Sequence, residues 1–565
     1  MGQYIIGVSS GVFGIAQPQE KLGYIDLSQK GFYSAFKGVN FTQIDLETSA
    51  EFIAPDVSSR LEKLRKEMNV EFGIHGLMRA MGANGIFLDS AIREDWQRTH
   101  FCLSRDIERS GKVKAKYLLQ HASETPPYDT LGKQFQPTDV VDIWGRPLYV
   151  FLQENSNVFN WLIRQEEART VMGRRGQIVP DYLDNPANKE GFRENAQKRA
   201  IDAMRREGVI KQADDIYKPE IAAEINERAN EMTEREFLPS VEQSVKEEVI
   251  EGIKRGSLTY GSEKIAYLAI AKWMSDRNDP LWKGIVGDRS IDSVKNDSGG
   301  WVPAVSLKYI YGHFFPEEAS DASKYGYKNL KPLLNQYQLM FVIETETGKA
   351  GDEEVPRAAN PAHFVMLCKE MESKGVTRFR AAVDFEHCLG AGLKPMGEGK
   401  GEEGFIDQIP AGCGKYVGVL HLGWPTALGP AHVPIFLGSE QQEWLYKWIY
   451  ALRKKGFTES EDRFLIFERA GGIGGDPVDQ STMAIKKIVE FLRNDVRPED
   501  LTKEGNLHFY GYEDSSVKMQ EAEIAEHFMD PIKGLLQIPE EQHGFLGGAA
   551  VAKGKAKEWE AGKMR

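Results

Sequence analysis

Short apolar runs bounded by glycine and polar clusters recur along this chain, and segments of helical period separate most of them. Eight runs predict strands: Tyr4–Val8, Phe41–Leu46, Glu71–Ile74, Lys116–Gln120, Leu339–Ile343, Phe379–Val383, Tyr416–Leu420 and Phe464–Phe467. Runs without polar alternation are the mark of strands buried on both faces, as in parallel sheets. Helical patterns are predicted over Ser58–Glu67, Ile92–Arg109, Ala362–Lys374, Glu440–Lys455 and Gln480–Asn494. Gly375 and Gly456 stand just past two of them, where a helix stops. Strand and helix alternating eight times predict an α/β fold, a (β/α)8 TIM barrel.

One connection breaks the rhythm. More than two hundred residues separate His121 from Glu344. Between about Asn188 and Arg255 they are charged and helical in pattern; a more apolar helix, Ser262–Ser275, follows, and then loops are expected up to about Tyr327. The expected organisation is therefore a barrel half over 1–125, a large, mainly helical insertion after strand four over 126–335, a second barrel half over 336–545, and a polar tail over 546–565. Leaving from the C-terminal end of a strand, the insertion would act as a lid, a specificity element or an arm for homo-oligomerisation.

Composition narrows the class without choosing a chemistry. The 41% hydrophobic and 27% charged content is that of a soluble globular protein. No stretch is apolar enough to span a bilayer, and MGQYIIGVSSG reads as a first strand, so the expectation is a cytoplasmic protein with no membrane partner. Cys102, Cys368, Cys388 and Cys413 show no CxxC spacing and read as reduced thiols. The net charge of −13 argues against non-specific coating of nucleic acid.

The chemistry stands at the strand ends. His75, His121, Glu344, Asp384, His421 and Glu468 each close or follow an apolar run, His387 lies three residues beyond Asp384, and His432 falls in a later loop. Only 11 histidines exist in the chain, and five are among these eight residues. Strand ends of a closed barrel converge on one point, so carboxylates and imidazoles placed there predict a divalent-metal site.

The segments VIETETG, VDFEHCLGAG, GVLHLG and FERAGG resemble the last four strands of the xylose-isomerase-like TIM barrels, most specifically in the D-x-x-H-x-x-x-A/G-G element Asp384–Gly392. That superfamily contains endonuclease IV-type abasic-site nucleases and many sugar isomerases and epimerases. The resemblance covers roughly residues 1–125 and 336–495. It implies four shared metal ligands, carried here by Glu344, Asp384, His421 and Glu468. The nuclease branch implies zinc, with a second ion on His75, His121 and Glu344 and a third on His387 and His432. The aspartate expected beside His432 is replaced by Pro430, which leaves that third site incomplete. At the position of the nuclease's duplex-opening wedge this chain has Met78 and Arg79.

Two mechanisms follow. In the first, zinc-dependent hydrolysis of a phosphoester, Glu344 bridges two metals, Glu468 or Asp384 orients the nucleophile, and Gly471, Gly472 and Gly474 cradle a phosphate. Its substrate would be a small phosphorylated molecule or nucleic acid with an abasic or damaged site. In the second, a single manganese, cobalt or magnesium polarises a sugar, Glu344 and Glu468 shuttle a proton between adjacent carbons, and His387 holds a hydroxyl. A non-catalytic barrel serving as a binding module is the third reading. The hydrolase uses the larger number of matching residues and leads narrowly at this level.

Overall fold

The computed structural model describes residues 2–13, 27–35, 39–46, 51–52, 56–77, 86–123, 139–162, 165, 186–254, 263–345, 356–397, 399, 401–423, 433–468 and 477–512. Its centre is a closed, all-parallel barrel of eight strands in sequential order. The strands are β1 (Tyr4–Ser9), β2 (Phe41–Asp45), β3 (Glu71–His75), β4 (Tyr117–His121), β5 (Met340–Glu344), β6 (Phe379–Asp384), β7 (Val417–Leu422) and β8 (Arg463–Phe467). Each overlaps the run that predicts it. This is the TIM-barrel architecture that the resemblance implies.

The alternation of a strand explains what fills the barrel. Phe41, Tyr117, Leu119, Met340, Val342, Ala382, Val419, Phe464 and Ile466 form one buried cluster inside it. Their neighbours Leu118, Phe341, Ile343, Val383, Leu420 and Leu465 point outward into the core shared with the helices. Continuing the inward parity by two residues reaches Gln43 and Asp45 on β2, His121 on β4, Glu344 on β5, Asp384 on β6, His421 on β7 and Glu468 beyond β8. Two-residue periodicity alone thus aims these side chains at the barrel axis.

The helices Val57–Met68, Arg93–Lys112, Pro361–Ser373, Glu440–Lys454 and Pro477–Arg493 match the predicted ones. Gly375 and Gly456 follow with φ of +83° and +117°, a region where a side chain would be strained. A helix over Leu27–Ala35, between β1 and β2, was not anticipated.

The connection from β4 to β5 departs from expectation beyond Ser275, where short helices form at Pro280–Ile285 and Ile291–Val294. Where loops are expected up to Tyr327, a helix runs over Ser298–Phe314. It is buried on nearly all sides, so it carries no amphipathic stripe, and the Gly299, Gly300 and Pro303 within it resemble a loop. Phe314 packs edge-on against Phe341 of β5 and Phe379 of β6, which places the helix in the outer layer of the barrel. The charged stretch forms two helices, Pro186–Arg206 and Pro219–Lys254, with their own small core of Ala200, Met204, Ile210 and Ile225. Arg193, Arg199 and Arg205 pair there with Glu190, Glu236 and Asp202. No helix among the described residues is long and apolar enough to cross a membrane.

Candidate metal centre

Six of the eight predicted ligands meet at the C-terminal mouth of the barrel. They form two sets that share one residue: His75, His121 and Glu344, and Glu344, Asp384, His421 and Glu468. Within each set the ligand atoms lie within 4.8 Å of one another. Strand register explains the convergence, because Asp45 pairs with His75, His121 with Glu344, and Asp384 with His421 at nearly one height.

Glu344 is fully buried and turns one oxygen toward each set. Its Oε2 lies 3.4 Å from His75 Nε2 and 3.6 Å from His121 Nε2, and its Oε1 lies 2.5 Å from His421 Nδ1. The same Nδ1 is 2.5 Å from Glu468 Oε2 and 3.6 Å from Asp384 Oδ2. Yet both oxygens of Glu344, Asp384 Oδ2 and His421 Nδ1 are buried and make no hydrogen bond of proper geometry. Buried polar atoms are normally paired, so converging acceptors left in this state fit a cation among them.

The electrostatics agree. Burial alone would lower the His421 pKa, but the charges of Glu344 and Glu468 outweigh it and raise it well above the usual imidazole value. His75 is likewise raised, with Glu344 overcoming burial. Burial pushes the Glu344 carboxyl up, and His421, His75 and His121 more than reverse this and hold it well below its usual range. A field that favours protons on imidazoles also favours a metal cation in their place.

Two of the imidazoles are held by a main-chain carbonyl at their other nitrogen. His75 Nδ1 is 3.1 Å from the Gly76 carbonyl, and His387 Nδ1 is 2.8 Å from the Thr345 carbonyl. A carbonyl only accepts, so these Nδ1 atoms carry hydrogen and leave Nε2 with its lone pair. In His387 that Nε2 lies 3.7 Å from Asp384 Oδ2, and Asp384 Oδ1 in turn accepts the His387 backbone N–H. His387 therefore borders the four-ligand set. His432 and Gly471, Gly472 and Gly474 lie outside the described residues, as do Pro430, Met78 and Arg79.

Sequence reasoning passed over the neighbours of this centre on β2, in the turn after β1 and on the Leu27–Ala35 helix. Asp45 accepts from Ser10 Oγ at 3.1 Å and from the Gly11 N–H at 2.9 Å. Burial, together with the Glu468 charge, raises its pKa against the opposing pull of His75 and Lys30. Lys30, itself buried, donates to the Asp45 carbonyl and pairs with Glu51 at 2.8 Å. The signal that could have found Gln43 and Asp45 is their inward parity with Phe41.

No family model matches the chain, and no curated protein matches it. Among solved structures it aligns with a D-tagatose 3-epimerase-like protein at 11% identity, covering 88% of this chain and 100% of that one, with a TM-score of 0.38. An L-ribulose 3-epimerase aligns at 9% identity over 89% of this chain and 98% of its own, with a TM-score of 0.35. A D-psicose 3-epimerase from Clostridium cellulolyticum H10 aligns at 9% over 88% and 100%, with a TM-score of 0.33. These identities and scores are too low to assign chemistry.

Proposed function

We propose that this barrel is a divalent-metal-dependent isomerase or epimerase of a small sugar or polyol. The observation that carries the reading is the placement of two carboxylates, Glu344 and Glu468, each 2.5 Å from His421 Nδ1. Two carboxylates reaching one centre from different strands are suited to taking a proton from one carbon and returning it to the same or an adjacent carbon. Glu344, Asp384, His421 and Glu468 would hold the metal, which would polarise a carbonyl and its neighbouring hydroxyl when bound. One carboxylate removes the carbon-bound proton, the electron pair moves toward the carbonyl, and the other carboxylate returns a proton. His387 Nε2, at the edge of the set, is placed to hold a substrate hydroxyl.

Hydrolysis of a phosphoester is the second reading, favoured by the set of His75, His121 and Glu344. Zinc in both sets would be bridged by Glu344. Against it, the described basic residues Arg193, Arg199 and Arg205 of the helical arm face acidic partners, a poor surface for a polynucleotide backbone.

The deciding experiment pairs metal analysis with isotope exchange. Protein purified without chelator is assayed in D2O on a panel of ketoses, aldoses and polyols, beside a His75→Ala/His121→Ala variant. Deuterium entering substrate next to the carbonyl, with loss in Glu468→Gln, supports the isomerase. Two zinc per chain, phosphoester turnover lost in the double variant, and no exchange would replace it with the hydrolase.

A further inference from the structure

The histidine at the crossing point of the site is held differently from its neighbours. His75 and His387 have their distal nitrogens set by main-chain carbonyls. His421 Nε2 instead meets a side chain, Gln43 Oε1 on β2, at 2.8 Å. We propose that Gln43 is a positioning residue that fixes the Nε2–H tautomer of His421 and so keeps Nδ1 free to bind metal.

An amide can offer either an acceptor or a donor, so the inference depends on which end of Gln43 faces the imidazole. Two contacts decide it. Tyr117, fully buried, donates its O–H to the same Oε1 at 3.0 Å. Gln43 Nε2 donates to Asp45 Oδ1 at 3.4 Å. Turning the amide over would set its oxygen against that carboxylate and its NH2 against His421, forcing the proton onto Nδ1. Asp45 is itself held by Ser10 and Gly11. The chain of contacts runs from the turn after β1 through Asp45 and Gln43 to His421 on β7, with Tyr117 of β4 completing it.

The room for this arrangement is visible in the backbone of β3. A Cβ on Gly73 would lie 2.3 Å from Tyr117 Cζ, so only glycine there lets the tyrosine ring reach Gln43. Acceptors behind a ligating histidine fix its orientation and raise its basicity, and their loss typically lowers metal affinity by about 10–100-fold.

The inference rests on the metal site and not on the choice between isomerase and hydrolase. Its test uses the full chain with zinc as probe, in wild type, Gln43→Met and Gln43→Glu. Methionine keeps the shape and removes the acceptor. A buried, protonated glutamate keeps an oxygen for His421 and a hydroxyl for Asp45. Zinc affinity, read by chelator competition, is expected to fall about 10–100-fold in Gln43→Met and to return to within a few fold in Gln43→Glu. In histidine-labelled, zinc-loaded protein, the 15N spectrum should show a hydrogen-bonded Nε2–H for His421 that shifts in Gln43→Met. The melting temperature of the metal-free variants controls for general damage. Unchanged affinity in Gln43→Met, or an equal loss in Gln43→Glu, overturns the inference. A wild type that binds no zinc overturns the metal site with it.

Discussion

Glu263 and Arg357, on either side of β5 in sequence, meet as a buried two-pronged ion pair, with Nη1 to Oε1 at 2.9 Å and Nη2 to Oε2 at 2.7 Å. The same glutamate accepts from Ser90 Oγ and the Ala91 N–H, and Tyr267 of its helix donates to the Asp89 carbonyl. Asp89 also receives Ser123 and Ser306. The residues following β3, β4 and β5, which carry His75, His121 and Glu344, are thereby tied to one another by helices of the long connection.

Removing one partner of such a pair leaves a buried charge uncompensated. Glu263→Gln and Arg357→Met should each destabilise the fold by about 3–5 kcal/mol, read as a drop in denaturant midpoint. Burial pushes the Glu263 carboxyl up and Arg357 outweighs it, so its pKa in the fold is lowered. The stabilisation is therefore complete above the unfolded carboxyl value near 4.5 and fades as pH falls through the lower folded one. If both variants melt with wild type, the network does not bind the loops together.

Glu344→Gln should empty both metal sets at once, since each set uses one of its oxygens. His75→Ala with His121→Ala should strip only the set they share with Glu344. Metal content by mass spectrometry checks both; equal loss in the two variants would show a single centre.

Metal affinity should rise with pH. The pKa values of His75 and His421 are raised, so at neutral pH and below a metal must displace protons from them. Each proton released makes affinity about tenfold stronger per pH unit while the group is protonated. Chelator competition between pH 5.5 and 8 tests the sign, and a flat profile would show that neither imidazole is protonated in the metal-free site.

A second pair of histidines should make the fold sensitive to acid. His100 and His313 stack on Trp96, buried between the Arg93–Lys112 and Ser298–Phe314 helices. Burial lowers the His100 pKa to about 4 and that of His313 well below the usual value. The unfolded chain therefore binds more protons below about pH 6.5, and stability falls as pH drops from there toward 4. The slope approaches about 1.4 kcal/mol per pH unit for each histidine. Replacing both by Phe should flatten it in denaturant titrations.

The barrel and the side chains that converge at its mouth were legible in the sequence for the same reason. A strand that feeds the barrel axis is apolar until its last inward position, so a Glu, Asp or His there stands out, as in FVIE, AAVD and GVLH. Gln43 and Asp45 were not legible, because FTQID carries three polar residues among five and so no single one stands out at the end of an apolar run. The Ser298–Phe314 helix was hidden by its own burial, since a helix apolar on every side has no period to read. Glu263 and Arg357 carry no local sign of pairing.

The seam between β4 and β5 is where the barrel joins consecutive strands across their longest connection. His121 and Glu344 face each other there, while Asp45 and His75 meet after a few tens of residues. In a chain not yet folded, closing the longer loop costs about 2 kcal/mol more entropy, at roughly 0.6 kcal/mol per doubling. An ion gripping His121 and Glu344 would be a rivet through that seam, holding shut the dearest of the joints between strands that follow one another in the chain.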